Sequence, residues 1–210
     1  MTENNKLKWK GGTLLAPLPA VMVSCGTLDK PNAITVGWTG IINSDPAKTY
    51  VSIRPSRYSY DIIKQTGKFV INLTTEDLAR ATDFCGVRSG RDIDKFAKCN
   101  MTAVPAHELE DTPVIAESPI SLECRVYDIV PLGTHDMFLA DIVAVDVSPE
   151  LLDEKGALHL ERAKLIAYSH GDYFALGRKL GDFGFSVRKK STEKRRRAAQ
   201  NNNRNGKRRK

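Results

Sequence analysis

The chain has 210 residues, 41% of them hydrophobic and 27% charged, with a formal net charge of +7 at pH 7. A chain of this length and composition is typical of a globular protein that buries one substantial core. The longest apolar segment, residues 14–25, is short and interrupted by two prolines, and residues 1–10 lack the basic-then-apolar arrangement of a secretory signal, so we expect a cytoplasmic protein without a membrane span.

The N-terminal part of the chain is predicted to form three strands separated by turn residues. The apolar stretch 20–27 predicts the first strand, and the turn DKPNA precedes a second strand over 34–42. Gly37 and Gly40 lie inside this second strand, and glycine within a strand often marks a bulge or a close approach to the backbone. The stretch TYVSIRP predicts a third strand, which Pro55 ends.

Two helices are predicted after these strands. Residues 56–68 place apolar side chains at helical spacing, and Gly67 suits the left-handed residue that ends many helices. The strand FVINL then leads to a second predicted helix over 74–86, with Thr74 or Thr75 as the expected N-cap.

The second half of the domain is predicted to be mostly strand. After a loop over 86–99, two long alternating stretches, 119–132 and 136–149, flank the turn LGTHD and predict an antiparallel hairpin. Many strands, few short helices and no regular βαβ alternation favour an antiparallel barrel over a doubly wound sheet. The expected fold class is therefore mainly β with short helices.

The positive charge is concentrated at the C-terminus. Residues 188–210 hold 12 Lys or Arg and one acid, Glu193, which leaves 20 basic and 24 acidic residues in the rest of the chain. We predict an N-terminal extension over 1–11, one folded domain over 12–187 and a disordered basic tail over 188–210, because the tail lacks the apolar side chains needed to offset its ordering entropy. Such a tail either contacts polyanions without sequence preference or is a solvated solubility segment.

Several kinds of site are not indicated by the sequence. The four cysteines are scattered along the chain and include no CxxC pair, so a disulfide framework is not expected. The four histidines lack an HExxH motif and close His/Cys spacing, so a metal site is not expected either. There is also no GxGxxG motif after a strand and no P-loop. A nucleotide-like ligand would therefore be held in another way.

The segment SIRPSRYSYD, residues 52–61, concentrates hydrogen-bond donors at the start of the first predicted helix. Arg54, Arg57 and the serines stand beside a helix N-terminus, whose free N–H groups favour anions. Ordinary N-capping by the serines is the alternative. Upstream, TVGWTG offers glycine backbone, hydroxyls and an aromatic ring to a planar heterocycle, with core packing of Trp38 as the alternative. Together the two segments predict a monophosphate site beside a heterocycle site.

Five blocks of sequence resemble the flavin-reductase-like family, and its flavoredoxin branch in particular. They occur in the family's order between about residues 12 and 185, and they read NAITVGWTGIINSDP, YVSIRPSRYSYDIIKQTGKFVINL, DFCGVRSGRDIDKF, SLECRVYDIVPLGTHDMFLADIVAV and YFALGRKLGDFG. The resemblance implies an antiparallel, Greek-key-like, FMN-binding split β-barrel, usually a homodimer with FMN near the subunit interface.

The resemblance also implies a set of FMN-binding residues. The residues expected along the isoalloxazine are Thr35, Val36, Gly37, Trp38 and Thr39. Those expected to continue the pocket to the phosphate are Ser52, Ile53, Arg54, Arg57 and Ser59. Those expected to close it are Cys85, Gly86, Ser89, Gly90 and Lys95. His135 stands where the family commonly has a GDH triplet, here Gly-Thr-His, and is either a catalytic residue near the nicotinamide or a polar turn residue.

Members of this family either reduce flavin with a nicotinamide cofactor or pass electrons through bound FMN to a partner. The leading hypothesis is an FMN-dependent oxidoreductase that passes electrons from NADH or NADPH through FMN to free flavin or another acceptor. One alternative is a flavoredoxin-type electron carrier that a protein partner reduces, and another is a polyanion-binding protein that acts through the tail. A pyridoxamine-phosphate-oxidase-like enzyme is a further barrel candidate, although no pocket for a second phosphate is evident.

Overall fold

The computed structural model describes residues 4–187. The chain divides into two compact units, residues 1–176 and residues 177–210. All strands found in residues 4–187 belong to the first unit, and the described part of the second holds one 3-10 helix, Phe185–Val187. The predicted basic tail over 188–210 lies outside the described residues. Within residues 4–187, no helix is both long enough and apolar enough to cross a membrane.

The first half of the chain alternates strands with short helices. Its elements are β1 (Leu18–Pro19), β2 (Val21–Gly26), β3 (Pro31–Val36), β4 (Thr39–Ser44), β5 (Ala47–Ile53), α1 (Tyr58–Thr66), β6 (Lys68–Asn72), α2 (Ala79–Val87) and α3 (Lys95–Cys99). The second half is mostly strand. Its elements are β7 (Ala103–Pro105), β8 (Pro113–Ile115), β9 (Ile120–Pro131), β10 (Asp136–Val147), two 3-10 helices (Pro149–Leu151 and Leu160–Arg162), β11 (Ile166–Ser169) and β12 (Asp172–Ala175).

Seven strands form the main sheet, and all neighbouring strands in it are antiparallel. The order across the sheet is β3-β2-β6-β9-β10-β5-β4, which puts the consecutive strands β3 and β4 at its two opposite edges. Only Gly37 and Trp38 connect these edge strands, and an extended residue spans at most about 3.6 Å. The end of β3 and the start of β4 must therefore lie close together. The sheet is rolled into a barrel that is split along a seam between β3 and β4, as the mainly β prediction requires.

The barrel encloses the main hydrophobic core. Phe69 of β6, Phe138 of β10 and Ile63 of α1 are among its fully buried side chains. Tyr60 of α1 packs edge-on against Phe138, with ring centroids 5.2 Å apart, and its hydroxyl donates to Asp136 at 2.7 Å. Burying an apolar side chain of this size contributes about 1.5–3 kcal/mol, so α1 is held firmly against the barrel.

Several predicted elements are confirmed by the structure. The hairpin of β9 and β10 is antiparallel over nearly the whole length predicted, with two register shifts along the pair. Helix α1 ends where expected, at Gly67, whose φ of 65° is left-handed and whose N–H donates to the Ile63 carbonyl. Local patterning was therefore sufficient for these elements.

Three local predictions were wrong. The single strand over 34–42 is two strands, because the connection at Gly37 and Trp38 carries the chain across the seam. Helix α2 begins at Ala79 rather than near residue 74, and neither predicted cap is its N-cap: the Thr74 hydroxyl donates to the Ala20 carbonyl, and the Thr75 hydroxyl accepts from the Leu78 N–H at 3.3 Å, before the helix begins. The predicted loop over 86–99 contains α3, which Asp94 caps by accepting from the Ala97 N–H at 3.0 Å.

Glu123 of β9 is a buried carboxylate that anchors the segment after β7. The side chain is 0% exposed, and its two oxygens accept the backbone N–H groups of His107, Glu108 and Leu109 at 2.7–2.9 Å. Asp146 of β10 lies beside it. Each of His107, Glu123 and Asp146 has one atom that could coordinate a metal ion, and these three atoms lie within 4.8 Å of one another. Because the Glu123 oxygens already accept three backbone N–H groups, its role in the described structure is to hold residues 107–109 in place.

Candidate functional site

Two cavities adjoin one another at the seam. The first, here called the seam cavity, has a volume of about 350 Å³ and is lined by the β3–β4 connection, the end of β5, α2 and the β11–β12 hairpin. The second, here called the arginine cavity, has a volume of about 440 Å³ and is lined by residues around the start of α1 and between α2 and α3. Both are lined by Ile34, Arg54 and Arg57. Together they form one elongated cleft.

The β3–β4 connection contributes Gly37 and Trp38 to the lining of the seam cavity. Gly37 and Trp38 lie outside the strand ladders, and in the described part of the chain their N–H groups have no hydrogen-bond partner. The Trp38 carbonyl accepts from the Ser52 N–H at 2.9 Å, which ties the connection to β5. Free main-chain groups on one wall of a narrow cavity suit the polar edge of a planar ring.

Thr35 and Thr39 do not direct their hydroxyls at this cavity. The Thr35 hydroxyl donates to the Thr82 carbonyl of α2, so its side chain joins β3 to that helix. The Thr39 hydroxyl donates to the Tyr50 carbonyl at 2.6 Å, and Thr39 lines neither cavity. At Gly86, a Cβ would lie 3.4 Å from the Thr35 Cβ, so glycine allows α2 to pack closely on β3.

His135 lies at the mouth of the seam cavity, in the turn between β9 and β10. Its ring centroid is 4.5 Å from that of Trp38, and its Nδ1 is 3.0 Å from the Thr134 hydroxyl. Burial lowers the pKa of His135, and the positive charges of Arg54 and Arg57 lower it further. The imidazole is therefore neutral at pH 7, and when the Thr134 hydroxyl donates to Nδ1, the Nε2 N–H remains as a donor.

The lowered pKa of His135 predicts a specific pH dependence. We expect an NMR titration of the flavin-free protein to give a His135 midpoint below 6.5, and Arg54→Ala to raise that midpoint by removing one repulsive charge. Because the unfolded chain holds this proton more tightly, the contribution of His135 to stability falls as the pH drops below 6.5 towards the folded pKa. A midpoint at or above 6.5 would contradict the placement of the imidazole beside the two arginines.

The arginine cavity has a strongly cationic lining. The guanidinium groups of Arg54, Arg57 and Arg88 make no hydrogen bond or ion pair with any residue of 4–187. Arg91 is engaged: it donates to the Ser56 carbonyl at 3.1 Å and lies 3.5 Å from the Asp61 carboxylate. No carboxylate is among the described residues that line the cavity. Unpaired guanidinium groups of this kind bind the paired oxygens of a phosphate.

Lys95 provides a buried cation at the same cavity. It is only 3% exposed, and its ammonium donates to the carbonyls of Ala33 and Cys85 at 2.6 and 2.9 Å. Burial lowers the pKa of Lys95. An ammonium has three N–H donors, so two hold it in place and the third remains for an anion in the cavity.

The start of α1 faces the arginine cavity without a side-chain cap. Arg57 is the N-cap residue, with extended backbone, and its side chain makes no capping hydrogen bond. Capping by the serines of this segment, the alternative considered from the sequence, is therefore not observed. Ser59 is buried and lines the arginine cavity, as does Ser89 at its other side. The first N–H groups of a helix have no intrahelical partner and favour an anion.

The structure brings together nearly all of the residues singled out in the sequence. Those that line the seam cavity are Thr35, Val36, Gly37, Trp38, Ser52, Ile53, Gly86 and His135, together with the shared Arg54 and Arg57. Those that line only the arginine cavity are Ser59, Cys85, Ser89, Gly90 and Lys95. Thr39 is the exception. Cys85 is fully buried, and burial raises the pKa of its thiol to about 12, so it contributes packing rather than a thiolate.

Other lining residues were missed by the sequence analysis. They are Asp83, Val87 and Arg88 of the α2 region, Tyr168, Gly171 and Tyr173 of the β11–β12 hairpin, and Leu18 and Ala20 near β1. The spacing of Asp83, Gly86 and Val87 places them on one face of a helix. Since Gly86 was already expected at the site, this spacing could have identified Asp83 and Val87 as lining residues. The hairpin was not predicted at all, although the turn His170-Gly171 between two tyrosine-containing stretches is a turn signal.

The cleft fits an elongated ligand with a planar ring at one end and a phosphate at the other. The donor set supports this fit, because free main-chain groups and four aromatic rings lie at the seam cavity, and guanidinium groups, hydroxyls and one ammonium lie at the arginine cavity. A donor set of this kind can bind and orient a ligand that carries its own chemistry.

Known proteins resemble this chain over most of its length. The family model described as "Flavin reductase like domain" matches residues 14–177. An uncharacterised protein of Archaeoglobus fulgidus is 32% identical over 141 residues, which cover 67% of this chain and 78% of that protein. A protein of Streptomyces viridifaciens named NADPH-flavin oxidoreductase is 26% identical over 155 residues, covering 73% of this chain and 74% of that protein.

A solved structure supports the same relationship. The flavoredoxin of Desulfovibrio vulgaris (Miyazaki F) has a TM-score of 0.80 and 27% sequence identity to this chain, covering 87% of this chain and 100% of that one. The similarity therefore extends through the whole barrel and includes every element that lines the cleft.

Proposed function

Because the chain belongs to the flavin reductase-like family, we propose that it is an FMN-dependent oxidoreductase that passes electrons from NADH or NADPH through FMN to free flavin or another acceptor. The observation that carries this proposal is the junction of the two cavities at Arg54 and Arg57. A ring cavity joined to a phosphate cavity matches the two ends of a flavin mononucleotide. The proposal assigns FMN-binding roles to the cleft-lining residues named above.

In this assignment the phosphate of FMN is held by Arg54, Arg57, Ser59, Ser89 and Lys95. A phosphate monoester carries a charge of about −1.5 to −2 at pH 7. The unpaired guanidinium groups and the third N–H of the Lys95 ammonium balance that charge and satisfy the phosphate oxygens. The anion in turn favours the charged form of Lys95, which burial disfavours.

The ring of FMN is assigned to the seam cavity. The free N–H groups of Gly37 and Trp38 lie where they can bind the polar edge of the ring, and Trp38 and His135 close the mouth of the cavity. Bound flavin would supply hydride acceptance and release. The protein orients the ring and the nicotinamide and excludes water, and the neutral His135 is assigned to donate a hydrogen bond to the substrate at the mouth.

Partners and location are part of the same proposal. We propose a homodimer in the cytoplasm, and a non-specific polyanion contact for residues 188–210. The edge strand β4 supports self-association, because Ile41 and Ile42 are 66% and 46% exposed on it, and exposed apolar side chains on a sheet edge are typical of an interface. We also propose residues 12–187 as the functional domain.

An absorbance spectrum tests the proposed activity. We expect purified protein to bind FMN with a flavin spectrum that bleaches when NADH or NADPH is added without oxygen, and to recover its colour when an acceptor is supplied. Protein that neither carries nor takes up FMN would contradict the proposal. Running both nicotinamides in parallel identifies the preferred donor.

A second possible function is that of a flavoredoxin-type electron carrier. It is supported by the structural similarity of this chain to the flavoredoxin described above, with a TM-score of 0.80. In that case FMN stays tightly bound and a protein partner reduces it. Coloured protein that dithionite bleaches but neither nicotinamide bleaches would favour the electron carrier over the flavin reductase. The same sample therefore separates the two functions.

A further inference from the structure

We propose that Asn32 is a positioning residue that turns the Ser59 hydroxyl towards the phosphate and thereby makes the site prefer FMN to riboflavin. The inference rests on the proposed function, because it concerns how the arginine cavity recognises a phosphorylated flavin. Asn32 was not singled out in the sequence. It belongs to β3, whereas Ser59 belongs to the first turn of α1.

The contact between the two side chains is buried and direct. Asn32 is 5% exposed, and its Nδ2 donates to the Ser59 Oγ at 2.8 Å. The same Nδ2 lies 3.7 Å from the Cys25 sulfur. Nδ2 is a donor only, so the Ser59 oxygen is the acceptor in this pair.

The direction of that hydrogen bond determines where the Ser59 proton points. A hydroxyl has one proton, and because one Ser59 lone pair is occupied by Asn32, its O–H is free to donate. The other polar atom beside Ser59 in the described structure is the Cys25 sulfur, a weak acceptor. Burial raises the pKa of Cys25 to about 11, so this sulfur is a neutral thiol. A phosphate oxygen in the arginine cavity is a far stronger acceptor.

Asn32 also lies against Gly90, which lines the arginine cavity. A Cβ at Gly90 would overlap the Asn32 carboxamide and would lie 2.9 Å from the Tyr58 Cδ1. Glycine at this position therefore allows the loop that carries Ser89 to close over Asn32. One buried amide thus contacts both the start of α1 and the 89–90 loop, which are the two segments assigned to the phosphate.

The substitution Asn32→Asp reverses the hydrogen bond with little change of shape. A carboxylate cannot donate, so the Ser59 hydroxyl turns to donate to it and presents lone pairs to the cavity. A lone pair facing a phosphate oxygen replaces attraction with repulsion. We expect the affinity for FMN to fall about 10- to 100-fold, because a hydrogen bond to a charged group contributes about 1.5–3 kcal/mol. Riboflavin has no phosphate, so its affinity should stay within about twofold.

A double-mutant cycle measured with both flavins tests the proposal. The dissociation constants of FMN and riboflavin are measured by quenching of flavin fluorescence for the wild type, Asn32→Asp, Ser59→Ala and the double variant. We expect Asn32→Asp to lower FMN affinity when Ser59 is present. In the Ser59→Ala background, we expect Asn32→Asp to lower FMN affinity further by less than about threefold. Thermal melts of the flavin-free proteins accompany each measurement. If Asn32→Asp does not fold, Asn32→Ala replaces it, with a smaller FMN-selective loss expected.

Each result has a defined meaning. If Asn32→Asp lowers FMN affinity as much in the Ser59→Ala background as in the wild type, the new charge repels the phosphate directly, and the proposal is overturned. A parallel loss of riboflavin affinity would show that Asn32 is merely structural. Unchanged FMN affinity in Asn32→Asp would overturn the inference while the proposed function stands. Wild-type protein that binds neither flavin would overturn both.

Discussion

Replacing Arg54 with alanine is expected to lower the affinity for FMN about 10- to 100-fold, because the change removes a charge-assisted hydrogen bond worth about 1.5–3 kcal/mol. Arg54 lines both cavities, and its guanidinium has no partner among residues 4–187. Its loss leaves no protein group unsatisfied. We therefore expect the unfolding temperature of the flavin-free protein to change by less than about 2 °C. Isothermal titration with FMN and thermal melts without flavin measure the two effects.

The matched control for Arg54 is Arg125→Ala. Arg125 is also exposed, but it lies on β9 and lines neither cavity. This variant removes the same side chain and the same charge, so any effect of net charge on FMN binding appears in it. The assignment of Arg54 to the phosphate fails if the two variants bind FMN equally well, or if Arg54→Ala destabilises the flavin-free protein as much as it weakens binding.

Replacing Glu123 with alanine is expected to reduce the free energy of unfolding by about 3 kcal/mol or more. The substitution removes three hydrogen bonds to a buried carboxylate, one from the buried Leu109 N–H and two from the N–H groups of the exposed residues His107 and Glu108, and a hydrogen bond to a charged group contributes about 1.5–3 kcal/mol. For a protein of this size the unfolding temperature should fall by about 6–12 °C. Chemical denaturation and calorimetry provide the measurement.

A surface carboxylate serves as the control for Glu123. Glu117 accepts the Thr102 N–H at 3.0 and 3.1 Å, but it is exposed, so water replaces it when it is removed. Glu117→Ala should cost less than about 1 kcal/mol. If the two variants lose similar stability, the burial of the Glu123 carboxylate is not what makes it important. FMN affinity should change in neither variant, since neither residue lines the cleft.

The parts of the fold that could be predicted are those encoded by local patterns. The β9–β10 hairpin follows from alternation on both sides of a short turn, and α1 follows from helical spacing and Gly67. That Arg54, Arg57 and Ser59 line one cavity was predictable for a similar reason, because they lie within a few residues of one another at a helix start. Because these residues are close together in the sequence, they could be recognised as one group without the structure.

The remaining parts depend on contacts between distant segments. Asn32 is far from Ser59 in sequence, and nothing in the local pattern of β3 marks its amide as part of an anion site. The hydroxyls of Thr74 and Thr35 donate to carbonyl groups that are far away in the sequence. Helix and strand propensities do not predict contacts of this kind. Tyr173 and Asp83 come together only because the β11–β12 hairpin packs beside α2, where burial and the Asp83 carboxylate raise the pKa of Tyr173.

The use of main-chain donors at the seam has a consequence for mutational tolerance. The N–H groups of Gly37 and Trp38 belong to the backbone, so exchanging the Trp38 side chain leaves both donors in place. Proline is the one residue that removes an N–H. If a ring edge binds at this connection, as proposed, its recognition should tolerate nearly every substitution at position 38, and the side chain beside His135 could vary to change which reaction partner is accepted.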